Sequence, residues 1–188
     1  MNMKMKTVFR LTAAVALLLA HRTVYADSWV LKPEVKDTEF EFGGTRIVLH
    51  YDSTTNRRFP KYEIRVYARN QLLATHENMG FEQVFADPQN TYFLGVSNSG
   101  LIKQAYIVFD NQGRLIKEQK HDPRKVHYTR MSVTVRREWY DAKTPQPEFV
   151  VRDGKLSEVR IQGTEGKKVS LMLNPAVDEP QRPQKSQR

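Results

Sequence analysis

Thr45-Arg46-Ile47-Val48-Leu49-His50-Tyr51 brings an apolar residue round at every second position. Successive side chains of a β-strand point to opposite faces, so this period supplies one face for a core and one for solvent. The same period returns in Tyr62-Glu63-Ile64-Arg65-Val66-Tyr67 and in Met131-Ser132-Val133-Thr134-Val135. Phe149-Val150-Val151, Val159-Arg160-Ile161 and Val169-Ser170-Leu171-Met172-Leu173 are further runs rich in β-branched or apolar residues, which a pleated half-buried surface favours. No segment of helical length carries apolar residues at i, i+3, i+4 and i+7, so the expected fold class is all-β. Val48, Val66, Val108 and Val133 are the expected core positions.

The residues between these runs are turn formers. Gly43-Gly44 separates Glu39-Phe40-Glu41-Phe42 from the strand at Thr45, and Asp153-Gly154 separates Val150-Val151-Arg152 from Lys155-Leu156. Asp110-Asn111-Gln112-Gly113 joins Tyr106-Ile107-Val108-Phe109 to Arg114-Leu115-Ile116, and Gly163-Thr164-Glu165-Gly166 is a fourth candidate. Gly, Asn and Asp tolerate the positive φ that tight hairpins need. A hairpin-like pattern recurs around Val66, Val108 and Val151, at separations of 42 and 43 residues. That is the spacing of four-stranded propeller blades, although no Trp-Asp or kelch signature accompanies it. The expected architecture is antiparallel hairpins and meanders packed as a β-sandwich or an incomplete propeller-like arrangement.

The first 26 residues read differently. Lys4, Lys6 and Arg10 precede the apolar run Leu11 to Ala20, and Val24-Tyr25-Ala26 has the small or β-branched residues a signal peptidase accepts. The run is shorter than the ~20 apolar residues a spanning helix requires. Residues 1–26 are therefore expected to be a cleaved signal peptide, 27–173 a single all-β domain, and 174–188, rich in Pro, Gln and basic residues, a disordered tail. The expected location is the bacterial periplasm or beyond, with no transmembrane segment after cleavage. The chain has no cysteine, which excludes disulfides, thiolate metal sites and cysteine nucleophiles.

The 188-residue chain carries a formal charge of +9; the leader holds four cations, which leaves +5 for residues 27–188. Arg114, Lys117, Lys120, Arg124, Lys125, Arg130, Arg136 and Arg137 face only Glu118 and Asp122, a net +6 within 24 residues. Such a field attracts acidic partners; it also describes solvated residues that blunt exposed strand edges. Nucleic acid is not expected, for want of any recognition motif.

Catalytic and metal-binding patterns are missing. His50, His76, His121 and His127 form no ligand spacing, and the trio His121, Asp122 and His127 lacks supporting ligands. Asp110-Asn111-Gln112-Gly113 lacks the later acids of a calcium loop, and Ser97-Asn98-Ser99-Gly100 lacks a nucleophile elbow and reads as a turn. Glu39 and Glu41 share a strand face, which suits an exposed edge better than paired acid and base. No cofactor is expected and no enzymatic activity is read.

Three segments are candidate binding surfaces. Arg57, Arg58 and Phe59 lie in the long loop Asp52 to Lys61, and Arg124 and Lys125 lie in the loop Lys120 to His127. Arg136, Arg137, Trp139 and Tyr140 combine the residue types enriched at binding hot spots, while a core Trp under an Arg stem is the competing reading. The expected function is an exported protein-binding module, of inhibitor or immunity type, whose partner is an envelope protein with acidic character. The alternatives are an accessory envelope protein holding anionic glycan or lipid on the basic face, and an enzyme with an unrecognised site.

Overall fold

The computed structural model describes residues 33–56, 60–131, 136–143 and 145–173. The expected leader, the expected tail, Val133 and the Arg57-Arg58-Phe59 group lie outside them. The described residues hold no helix, and every strand pairing among them is antiparallel.

β1 (Val35–Phe42), β2 (Thr45–Asp52), β3 (Lys61–Ala68) and β4 (Gln71–Glu77) form one four-stranded meander in that order. β5 (Gln83–Ala86), β6 (Tyr92–Val96), β7 (Gln104–Asp110) and β8 (Leu115–Lys120) form a second. β9 (Arg130–Met131) and β10 (Arg137–Glu138) pair with each other. β11 (Glu148–Arg152), β12 (Lys155–Gln162) and β13 (Lys168–Met172) complete a three-stranded sheet. The hairpins at Val66 and Val108 occupy the same place, as third and fourth strands of successive meanders. The hairpin at Val151 does not, since it opens the third sheet.

Local chemistry sets the turns. Gly43 and Gly44 have φ of 53° and 96°, Arg69 and Asn70 of 48° and 65°, and Asp153 and Gly154 of 50° and 71°. Two consecutive positive values match the right-handed twist of the strands they join. At β7–β8 the buried Asp110 carboxylate accepts from the amides of Gln112 (3.0 Å) and Arg114 (2.9 Å) and from Arg114 Nε (2.7 Å). The carboxylate is thus engaged by the turn itself.

The second sheet supplies both cores. Phe93, Ile107 and Phe109 pack with Ile47, Ile64 and Val66 of the first sheet. Leu94, Val96, Tyr106 and Val108 pack with Val126, Trp139, Val159, Ile161 and Leu171. Because neighbours on a strand point to opposite faces, one strand feeds two clusters, and all seven residues of β7 are buried. Val66 and Val108 are fully buried, one in each cluster. Val66→Ala or Val108→Ala should each cost on the order of 1–3 kcal/mol, read as a shift of the urea midpoint, because buried methyl groups and their contacts are lost.

Val48 is buried too, but in neither cluster. It shares its face with Arg46 and His50, and stands opposite Glu39 and Arg65 in the neighbouring strands. That face is a ladder of ion pairs: Arg46–Glu39 at 3.2 Å, His50–Asp37 at 2.6 Å and Arg65–Glu63, with Arg46 also lying over the Tyr67 ring. The third sheet has a counterpart on the face away from its core. There Arg160 pairs with Glu148 and Glu158 at 3.0 Å each, and Ser170 Oγ lies 2.5 Å from Glu158. Hydrogen bonds from Arg160 and Ser170 hold the Glu158 carboxyl below its usual range.

Candidate functional site

The loop after β8 turns on its own polar groups. Asp122 accepts from the Arg124 amide at 3.0 Å and from Arg124 Nε and Nη2 at 3.0 Å each, while its carbonyl accepts from the amides of Lys125 and Val126 at 2.9 Å. This tight turn sends Val126 inward, 6 % exposed, and leaves Arg124, Lys125 and His127 outside. The Thr129 hydroxyl lies 2.6 Å from that of Thr164, which ties the end of the loop to the β12–β13 turn.

Between this loop and β13 lies a recess of about 140 Å³. Its floor is Tyr106, Val126, Trp139 and Leu171, all buried. Its rim carries Lys125, His127 and Lys167, the last paired with Glu165 at 3.9 Å. An apolar floor with a cationic rim suits an apolar side chain flanked by carboxylates. Of the candidate binding residues named from the sequence, the recess unites Lys125 and Trp139. Arg124 stands beside it, 88 % exposed but paired to Asp122. Lys167, Thr164 and Tyr106 gave no sequence signal of their own, being turn and strand residues by pattern.

Trp139 and Tyr140 are not the surface anchors their residue types suggested. They are 3 % and 2 % exposed, with ring centroids 5.2 Å apart, and Trp139 lies 5.9 Å from Tyr106. Trp139 Nε1 donates to the Ser97 carbonyl at 2.8 Å. The rings fill the core because the strand leaving Arg137 turns in under the second sheet. Burial pushes the Tyr140 phenol far above its usual range. Arg136 remains outside and pairs with Glu138 at 3.1 Å, while Arg137 is half-buried and its amide donates to the Asn98 carbonyl at 2.6 Å.

Asn98 is the polar residue the sequence concealed. Buried at 3 % exposure, it donates from Nδ2 to the Tyr140 carbonyl at 3.0 Å and accepts the Trp139 amide at Oδ1, 3.1 Å away. Its own amide donates to Glu82 at 2.6 Å. Ser97 Oγ accepts the Ser99 amide at 2.9 Å and lies 3.4 Å from Glu82. These groups join the second sheet to the segment that enters the third.

The histidines are dispersed. His50 meets Asp37, His76 lies 2.8 Å from the Gly113 carbonyl, and His121 Nδ1 lies 2.9 Å from the Tyr128 hydroxyl. Among the described residues no three His, Asp or Glu side chains converge as a metal site. Burial, seconded by the charge of Arg137, pushes His121 down to about 4, with the Ser99 backbone offsetting part of the shift. Its Nε2 is buried and makes no well-formed hydrogen bond. The unfolded chain binds this proton below pH ~6.5, while the folded chain does not until about pH 4. Stability from this group is therefore whole above pH ~6.5 and is lost as pH falls toward 4. Urea midpoints should fall between pH 7 and pH 5, and His121→Gln should flatten that dependence. An unchanged slope in the variant would assign the acid sensitivity elsewhere.

No family model, no curated protein and no solved structure matches the chain.

Proposed function

We propose that the chain is exported, loses its leader after Ala26, and works in the periplasm as a non-catalytic protein-binding module of inhibitor or immunity type. The observation that carries this reading is the recess: an aromatic and aliphatic floor beneath Lys125, His127 and Lys167, the first two of which belong to the most basic stretch of the sequence. Protein interfaces are driven by a few apolar anchors seated in pockets, with charges around them steering encounter. The partner is an acidic envelope protein. Supporting a binding rather than an enzymatic role, the Ser97, Asp110 and Asp122 side chains are occupied in holding turns and strand ends.

The test is capture from envelope extract, washed at high salt, with wild type, Lys125→Glu/Lys167→Glu and a control reversal at Lys155. A bound protein that survives the wash, binds the double variant at least tenfold more weakly and tolerates the control is expected. Recovery of anionic lipid or glycan alone, released by salt, would replace this reading with the basic-face alternative, since exposed charges are screened beyond ~8 Å at physiological ionic strength.

We further propose that the three sheets stack as successive blades of an incomplete propeller. The two cores on opposite faces of the second sheet support it. Because the chain has no native cysteine, spin labels can be placed at Glu39 and Glu148 on the two ion-paired faces. Three layers should hold those backbones ~20 Å apart, at ~10 Å per sheet spacing, whereas a two-layer sandwich would give half that.

A further inference from the structure

Ion pairs occupy much of one face of the first and third sheets, whereas a strand edge leaves backbone groups open to a partner. β13 is an edge of the third sheet, and the recess lies directly beside it. The hydrogen bonds at its two ends fix which of its backbone groups face outward. The Gly163 amide donates to the Lys167 carbonyl at 2.7 Å, and the Leu173 amide donates to the Ser157 carbonyl at 3.1 Å. Between them the register runs Val169 against Ile161 and Leu171 against Val159. Antiparallel neighbours alternate between bonded and non-bonded pairs, so the odd-numbered residues turn their N–H and C=O groups toward β12. Lys168, Ser170 and Met172 turn theirs to the open edge, and among the described residues no strand meets them.

The side chains point the same way. Val169 and Leu171 face the core and line the recess, while Met172 is 54 % exposed. A strand added ~4.8 Å beyond β13 would carry its own core-facing side chain beside Val169 and Leu171, which is where the recess opens toward Val126 and Trp139. The charges choose among occupants. Lys167 pairs with Glu165 at 3.9 Å, Lys168 with Glu148 at 3.7 Å and Arg124 with Asp122 at 3.0 Å, so the positive excess beside the recess is carried by Lys125. A second copy laid along β13 would set two basic rims against each other; an acidic segment would meet complementary charge.

We propose that β13 is an acceptor edge: an extended segment of an acidic partner protein adds to it as a strand and seats one apolar side chain in the recess. This rests on the protein-binding reading and specifies its mode. Backbone hydrogen bonds give such strand addition its affinity, and pockets for alternate side chains give it selectivity.

The probe is a synthetic eight-residue peptide alternating leucine with glutamate, against a lysine counterpart, with amide hydrogen exchange of the protein read residue by residue. The acidic peptide should slow exchange at Lys168, Ser170 and Met172 at least tenfold. Val169 and Leu171, already bonded to β12, should change little, and the lysine peptide should do nothing. Met172→Pro removes one edge N–H without touching a β12 bond. It should weaken the peptide at least tenfold while exchange in β7 stays slow. Should Met172→Pro fail to fold, the exchange pattern of the wild-type protein decides alone. Binding that Lys125→Glu weakens, with the three edge amides exchanging as before, overturns strand addition but leaves docking in the recess standing. Protection of those amides that grows with protein concentration, without peptide, means a second copy and overturns the acidic partner. No binding at millimolar peptide overturns the proposal, while capture from the envelope still judges the broader reading.

Discussion

Trp139→Ala should remove about 3–5 kcal/mol of stability, the range for deleting a buried aromatic ring. The substitution empties the space between Tyr106, Tyr140 and the floor of the recess, and leaves the Ser97 carbonyl without its 2.8 Å donor. That is a large share of the ~5–15 kcal/mol a domain usually has. Trp139→Phe keeps much of the volume and loses the indole N–H, so it should cost about 1–3 kcal/mol, the penalty of a buried acceptor left unpaired. Urea denaturation followed by far-ultraviolet circular dichroism checks both. If Trp139→Ala left the transition where it was while abolishing partner capture, the ring would be acting as a partner anchor and not as a core residue.

Asn98→Ala should cost about 2–4 kcal/mol for a different reason: it removes little apolar contact but strips the Trp139 amide and the Tyr140 carbonyl of their partners. Both groups are inside, where water does not replace the lost bonds. Asn98→Asp tests the assignment with nearly the same shape. It turns the donor toward Tyr140 into a repelling oxygen and adds a charge close to Glu82, which already accepts the residue's own amide. Its destabilisation should be greatest at neutral pH and shrink in acid, as the introduced carboxyl, raised above its unfolded pKa, takes up a proton. A variant that loses as much stability at pH 4 as at pH 7 would argue against the bond to Tyr140.

The strands that could be read from the sequence are those with one wet face. β2 alternates because Ile47 and Leu49 turn to a core while Arg46 and His50 turn to an ion-paired face, and its expected start at Thr45 is the observed one. β6 escaped notice because its two faces are both buried; Phe93 and Leu94 serve different clusters, so no alternation is written, and Gly95 interrupts the run to let Phe81 and Ile107 close in. The same double burial blurs period in β7, where the turn at Asp110 to Gly113 was the readable part. The basic loop was legible as charge, and Arg124 and Lys125 are indeed exposed. The recess beneath it was not, since Tyr106, Trp139 and Leu171 come from segments far apart in the chain and converge only on folding. Asn98 was hidden by its own chemistry: an Asn between two serines reads as a turn, and its long-range bonds leave no local trace.

Having β7 buried on both faces has a thermodynamic consequence. The two clusters are built on the same backbone, so neither can dissolve while the other keeps its packing partner. Loss of Ile107 and Phe109 on one side moves the strand that carries Tyr106 and Val108 on the other. The three sheets should therefore melt together, with calorimetric and van't Hoff enthalpies equal, rather than peel away one by one as in a loosely coupled repeat array. The slowest amides should be those of β6 and β7, exchanging only when the whole fold opens.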